Sequence, residues 1–151
     1  MKGKIVCNSS CFIALDRINR LDLLLNSFQE IIIPPKVAKE IDLNLDWISV
    51  KSIKNTSVIQ ILKTQIDDGE SEAIALSLEL KDVALLLDDK KARRIAEQLG
   101  LQIIGTIGLI LRAKRIGLIT EVKPVLNELQ TAGFRIRGTL YNEALRLANE
   151  N

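Results

Sequence analysis

Several residues able to ligate a hard cation stand directly after apolar runs in this 151-residue chain. Asn8 follows Lys4 to Cys7, Asp88 and Asp89 follow Val83 to Leu87, and Gly105-Thr106 follows Leu101 to Ile104. Glu40 lies in the first turns of the helix expected after Glu30 to Ile33, and Glu70 in the first turn of another. In an open parallel sheet, ligands bind outside the carboxyl ends of the strands, so all of these can approach one edge. Carboxylates gathered there repel one another and raise their own pKa values unless a divalent cation neutralises them. Oxygen donors suit magnesium or manganese, and water made acidic by such an ion can attack phosphorus.

Each residue also has a simpler use. Glu70 can serve only to complement a helix dipole, Glu40 can be a solvated helix-face residue, and Asp88-Asp89 can be a helix cap. It is their joint placement that favours the metal. The Gly105-Thr106-Ile107-Gly108 turn can cradle a phosphate, but it matches neither a P-loop nor a dinucleotide fingerprint, and tight helix–strand packing explains it as well. Lys90, Lys91, Arg93 and Arg94 can meet a nucleic-acid backbone, or form a solvated helix face.

The elements that must position these residues alternate. A strand at Lys4 to Cys7 runs into Asn8-Ser9-Ser10, whose short polar side chains suit a helix start. A helical patch spans Leu21 to Leu25. The β-branched run Glu30 to Ile33 ends at Pro34-Pro35, with Pro35 placed at a first helical position. Ile48 to Ile53 fits strand or loop. The pattern predicts helices over Thr56 to Ile66 and Ser71 to Leu80, separated by Asp67-Asp68-Gly69-Glu70. Val83 to Leu87 reads as a strand buried on both faces. A helix from Ala92 to Leu99, a strand from Leu101 to Ile104 and a helix to Arg115 follow, then helices through Val125 to Leu129 and Leu140 to Ala148, with Phe134 to Ile136 as a short edge strand. Such alternation calls for a parallel sheet with right-handed crossovers, with helices packed on it. The length suits a single domain over residues 1–151.

Composition narrows the chemistry. Apolar residues make up 47% and aromatics only 3%, so the core is aliphatic and an all-β domain is disfavoured. A net charge of +2 does not name a partner. The chain has no histidine, which removes Ser-His-Asp and Cys-His mechanisms and His zinc sites. Cys7 and Cys11 are too few for a structural zinc site and lack the C-x-x-C spacing, so two buried free thiols are expected. Met1-Lys-Gly-Lys-Ile-Val-Cys lacks an apolar signal core, so no leader is expected, and no stretch reaches the ~18 residues of a membrane span. A reducing cytoplasm is the default expectation, with no membrane partner.

Taken in order, Asn8-Ser9-Ser10, Ile-Pro-Pro-Lys-Val-Ala-Lys-Glu40-Ile, Gly-Glu70-Ser-Glu72-Ala-Ile-Ala-Leu and Leu-Leu-Leu-Asp88-Asp89-Lys-Lys-Ala-Arg resemble the PIN-like nucleases, in particular a small prokaryotic PIN-related branch. Ile104 to Gly108, Ala113 to Ile119 and Gly133 to Ile136 extend the likeness over nearly the whole chain. The resemblance implies a three-layer Rossmann-like α/β fold, with a central, mainly parallel sheet flanked by helices, and a metal-dependent, single-strand-directed endoribonuclease using Mg2+ or Mn2+, often the toxin of a toxin–antitoxin pair and often a homodimer. It implies Glu40, Glu70 and Asp88 as catalytic carboxylates and Asn8, Glu40, Glu70, Asp88 and Asp89 as the metal-binding set, with Glu72 a further neighbour. Ser9, Ser10, Thr106, Lys90 and Lys91 are candidate contacts to phosphate or RNA. Members usually carry aspartate where this chain has Asn8. The amide oxygen can ligate a hard cation but lacks the charge and cannot take a proton. Two expectations follow: a weak nuclease that recruits another acid such as Asp16 or Asp89, or a catalytically silent module that binds RNA or an antitoxin-like protein. A small-ligand binder built on Gly105 to Gly108 is a third reading.

Overall fold

The computed structural model describes residues 3–42 and 44–150. Among them the chain order is β1 (Lys4–Cys7), α1 (Ser9–Arg17), α2 (Asp22–Leu25), β2 (Glu30–Ile33), α3 (Pro35–Ile41) and β3 (Ile48–Val50). There follow α4 (Thr56–Leu62), α5 (Asp68–Leu80), β4 (Val83–Leu86), α6 (Lys90–Gln98), β5 (Gln102–Ile104), α7 (Thr106–Arg115), α8 (Lys123–Thr131) and α9 (Gly138–Leu147). The sheet order is β3-β2-β1-β4-β5, and every pairing is parallel.

Strand periodicity divides the core in two. Ile5, Cys7, Ile31, Ile33 and Leu86 point to one face, where they pack with Phe12, Leu15, Leu24 and Val37 and with Ile110, Leu126 and Ala144 of α7, α8 and α9. Val6, Ile32, Leu85 and Leu87 point to the other, covered by Leu62, Ala73 to Leu76, Ala92 and Ala96 of α4, α5 and α6. Side chains of successive strand residues face opposite ways, so a continuous apolar run is what a sheet with helices on both faces requires. This is the three-layer arrangement expected. Its chain order reverses between β1 and β4, so the residues that leave those two strands, Asn8 and Leu87-Asp88, flank the switch point. Asn8 N donates to Leu86 O at 3.1 Å and fastens the two strand ends together.

Several element boundaries differ from the sequence reading, among them the end of α4, which stops at Leu62 rather than Ile66. α5 begins at Asp68 rather than Ser71, because the Asp67 side chain accepts from Glu70 N at 2.8 Å and caps the helix earlier. The ambiguous stretch yields a strand only over Ile48–Val50, at the sheet edge. Phe134 to Ile136 is not a strand. Gly133, at a φ of 99°, turns the chain out of α8, and Phe134 and Ile136 pack against helices of the first core face instead of a sheet edge. Cys7 and Cys11 are buried free thiols, as expected, and burial raises both pKa values, for Cys11 with the Asp88 charge adding to it.

Candidate functional site

The residues singled out fall into two neighbouring groups at the carboxyl edge of the sheet. The first surrounds Glu70, in the first turn of α5. Its carboxyl is half-buried, and its pKa is pushed up to about 7, first by burial and then by the charges of Asp67, Asp89 and Glu40. Glu40 comes from the last turn of α3 rather than its first. It reaches across to the backbone of α5, where a Cβ on Gly69 would stand 2.6 Å from Glu40 Oε1. The space left by glycine admits the Glu40 carboxylate at this point, and no unusual backbone conformation calls for glycine there.

The second group centres on Asp88, just past β4. Its Oδ1 accepts from Thr106 N at 2.8 Å and its Oδ2 from Thr106 Oγ1 at 2.5 Å, so the carboxylate caps α7. Negative charge at a helix N-terminus is favoured by the helix dipole. Thr106 is fully buried and commits both donors to Asp88, which places it behind the carboxylate rather than on an exposed phosphate path. Asn8 leaves β1 beside this group. It is 6% exposed and starts α1 without a side-chain capping bond.

Other candidates take structural roles. Asp89 caps α6, accepting from Ala92 N at 2.9 Å, while its charge still acts on Glu70. Glu72 Oε1 accepts from Lys36 N at 3.0 Å and so caps α3, whose own N-cap residue is Pro34. Asp16 lies in the last turn of α1, exposed, far along the helix from Asn8. Ser9 is half-buried; Ser10, Lys90 and Lys91 are exposed at the first turns of α1 and α6. Asp67 is the acid that the sequence reading passed over as part of a chain break. The spacing Asp67-x-x-Glu70 is a helix-start signal that would have revealed it.

Among the described residues, no three acid or thiol side chains converge into a ready-made ion-binding group. The donor chemistry nevertheless fits a hard cation. Glu40, Glu70, Asp88 and Asn8 all offer oxygen donors, and the neighbouring negative charges that add to burial in raising Glu70 are of the kind a cation offsets.

An α/β sheet with its reversal between β1 and β4, and acids gathered where the strands end, is a fold shared with known proteins. The PIN domain family model matches residues 4–150, and the chain belongs to that family. A solved structure with the same fold is a PilT N-terminus domain protein from the hyperthermophilic archaeon Sulfolobus solfataricus P2. It is 18% identical with a TM-score of 0.52, over 89% of this chain and 97% of that one. No curated protein matches the chain. Among the described residues, no helix is long and apolar enough to cross a membrane.

Proposed function

We propose that this PIN domain is a magnesium- or manganese-dependent endoribonuclease acting on single-stranded RNA in a reducing cytoplasm. Asn8, Glu40, Glu70 and Asp88 would hold the ion. The observation that carries the reading is the half-buried Glu70 carboxyl, which Asp67, Asp89 and Glu40 crowd at the carboxyl edge of the sheet. When bound, the ion supplies Lewis-acid stabilisation of the charge that develops on a phosphodiester. The chain's own part is positioning. Thr106 fixes Asp88 from behind, and Gly69 lets Glu40 reach over the start of α5. Membership of a toxin–antitoxin pair, a protein inhibitor and a homodimeric state belong to the same proposal.

A second reading has its own support. Asn8 brings no charge, and Asp88 already has a hydrogen bond on each oxygen. A silent PIN module that binds RNA or a protein would tolerate both features. Thermal unfolding of metal-stripped protein titrated with manganese separates the two, run beside cleavage of a labelled single-stranded RNA. The nuclease reading expects a saturable rise, about 2.7 kcal/mol at a hundredfold excess over Kd, that Asp88→Asn loses. It also expects cleavage that Asn8→Asp raises. No rise at millimolar manganese and no cleavage by either protein would sink it in favour of the silent module.

A further inference from the structure

Beside the acidic edge lies a basic one. Arg93 in α6, Arg135 in the connection between α8 and α9, and Arg17 at the end of α1 form no ion pair among the described residues. Arg93 Nη1 lies so close to the backbone of Gly105 that a Cβ there would be 2.5 Å from it, and Asp88 Oδ1 would be 3.0 Å from the same point. A cavity of about 430 Å³ opens at this place, with Asp88, Arg93, Leu111, Phe134 and Arg135 in its wall. A second cavity, of about 260 Å³, shares Phe134 and Arg135 and continues to Ser10 and Arg17 of α1. The two form one track that begins at Asp88.

That combination of surfaces is selective. Unpaired guanidiniums present planar donors to phosphate, and an aromatic ring among aliphatic side chains presents a face to a base. Asp88 adds an acceptor at the mouth, which suits a ligand that carries both anionic oxygens and N–H or O–H donors. A purely acidic peptide has the anions but no planar base to lay against the Phe134 ring. We propose that the track seats the nucleotides of a single strand beside the scissile phosphate, one base against Phe134 and Leu111, with phosphates at Arg93, Arg135 and Arg17. This rests on the reading of the acidic edge as the cleavage site and names the subsite that reading lacks. Gly105 is what lets Arg93 lie against the turn.

The test is binding of a fluorescein-labelled single-stranded hexaribonucleotide to the full chain in chelator, by anisotropy at 50 and 200 mM salt. Wild type is compared with Arg93→Gln, Arg135→Gln and the control Arg115→Gln, in the last turn of α7, whose side chain is in the wall of neither cavity. Three phosphate contacts on a single strand predict a loss of roughly twentyfold in affinity across that salt range. Arg93→Gln and Arg135→Gln each weaken binding about five- to tenfold at low salt and lower the salt slope by about 0.7, while Arg115→Gln changes affinity less than twofold. Equal affinities for wild type and both track variants overturn the proposal, as does binding of an acidic peptide where the oligonucleotide does not bind. Cleavage with manganese is scored separately. Arginine-dependent binding without cleavage supports the track and removes the nuclease reading; cleavage with an unchanged KM in both variants does the reverse.

Discussion

Asp88 and Thr106 are joined through both ends of each group: one carboxylate oxygen accepts the threonine N–H at 2.8 Å, the other its hydroxyl at 2.5 Å. Thr106 is fully buried, so Thr106→Val leaves a carboxylate oxygen without its donor in a poorly hydrated place. The expected loss is about 1–3 kcal/mol of stability by denaturant unfolding, together with weaker manganese binding because Asp88 is no longer fixed. Thr106→Ser, which keeps the hydroxyl, should restore most of both. A valine variant as stable as wild type would mean that the pair carries little.

Gly69→Ala separates stability from function. Gly69 sits inside the first turn of α5, where alanine favours the helix by about 1 kcal/mol. Its Cβ meets only the mobile end of the Glu40 side chain, which can swing aside. We expect a variant with Tm equal to or above wild type and manganese affinity lowered several-fold, measured by calorimetry. Undiminished affinity would remove Glu40 from the ion-holding group.

Glu70 predicts a pH dependence in metal-free protein. Its folded pKa, about 7, lies above the ordinary 4.5, so its contribution to stability is complete below the ordinary value and is lost as pH rises through 7. With solvent screening, the loss between pH 5 and 8 should be on the order of 1–2 kcal/mol. Glu70→Gln should flatten the curve, and saturating manganese should do the same in wild type. Unfolding curves at pH 5 and 8 in chelator decide it; a wild type as stable at 8 as at 5 contradicts the crowding around Glu70.

At the other end of the molecule Glu150 fastens the C-terminus. Its carboxylate takes Lys114 Nζ and Val122 N through Oε2, at 2.8 and 2.7 Å, and Lys123 N through Oε1 at 3.0 Å. Burial raises its pKa, but Lys114 and the two amides outweigh burial and leave it below the usual carboxylate range. This stabilisation is present above the ordinary pKa and is lost as pH falls through the folded one. Glu150→Gln should therefore cost about 1–3 kcal/mol at pH 7 and much less near pH 3, as read from urea midpoints. An equal cost at both values would show that charge plays no part.

How much of this the sequence carried depends on the kind of signal. Val83 to Leu87 could be read because a strand covered on both faces is apolar throughout, and Asp88-Asp89 marked its end. That Asn8 and Asp88 stand at the carboxyl edge followed from the strands that precede them, and Glu70 from its place in a helix's first turn, whereas Glu40, read into the first turns of its helix, lies in the last. What each side chain does there did not follow. Asp88 and Asp89 are chain neighbours with different partners, Thr106 and Ala92, because one faces the next strand's helix and the other its own. Glu72 serves Lys36 N, a contact set by how α3 docks on α5, which no local pattern encodes. Phe134 to Ile136 misled for a related reason: alternating apolar residues fit a sheet edge or a bed of helices equally well, and only tertiary packing chooses.

The bond from Asn8 to Leu86 has a consequence for how the molecule comes into being. β1 is near the beginning of the chain, yet its neighbour β4 is made only after α5 is complete. Closing so long a loop adds little to the free-energy cost but slows the search. A chain emerging amino end first thus holds Glu40 and Glu70 well before Asp88 can take its place next to Asn8. The proposed ion-holding edge is a product of late closure, and a fragment that stops short of β4 would carry two of its three acids, Glu40 and Glu70, without Asp88 or the strand that holds Asn8 in place.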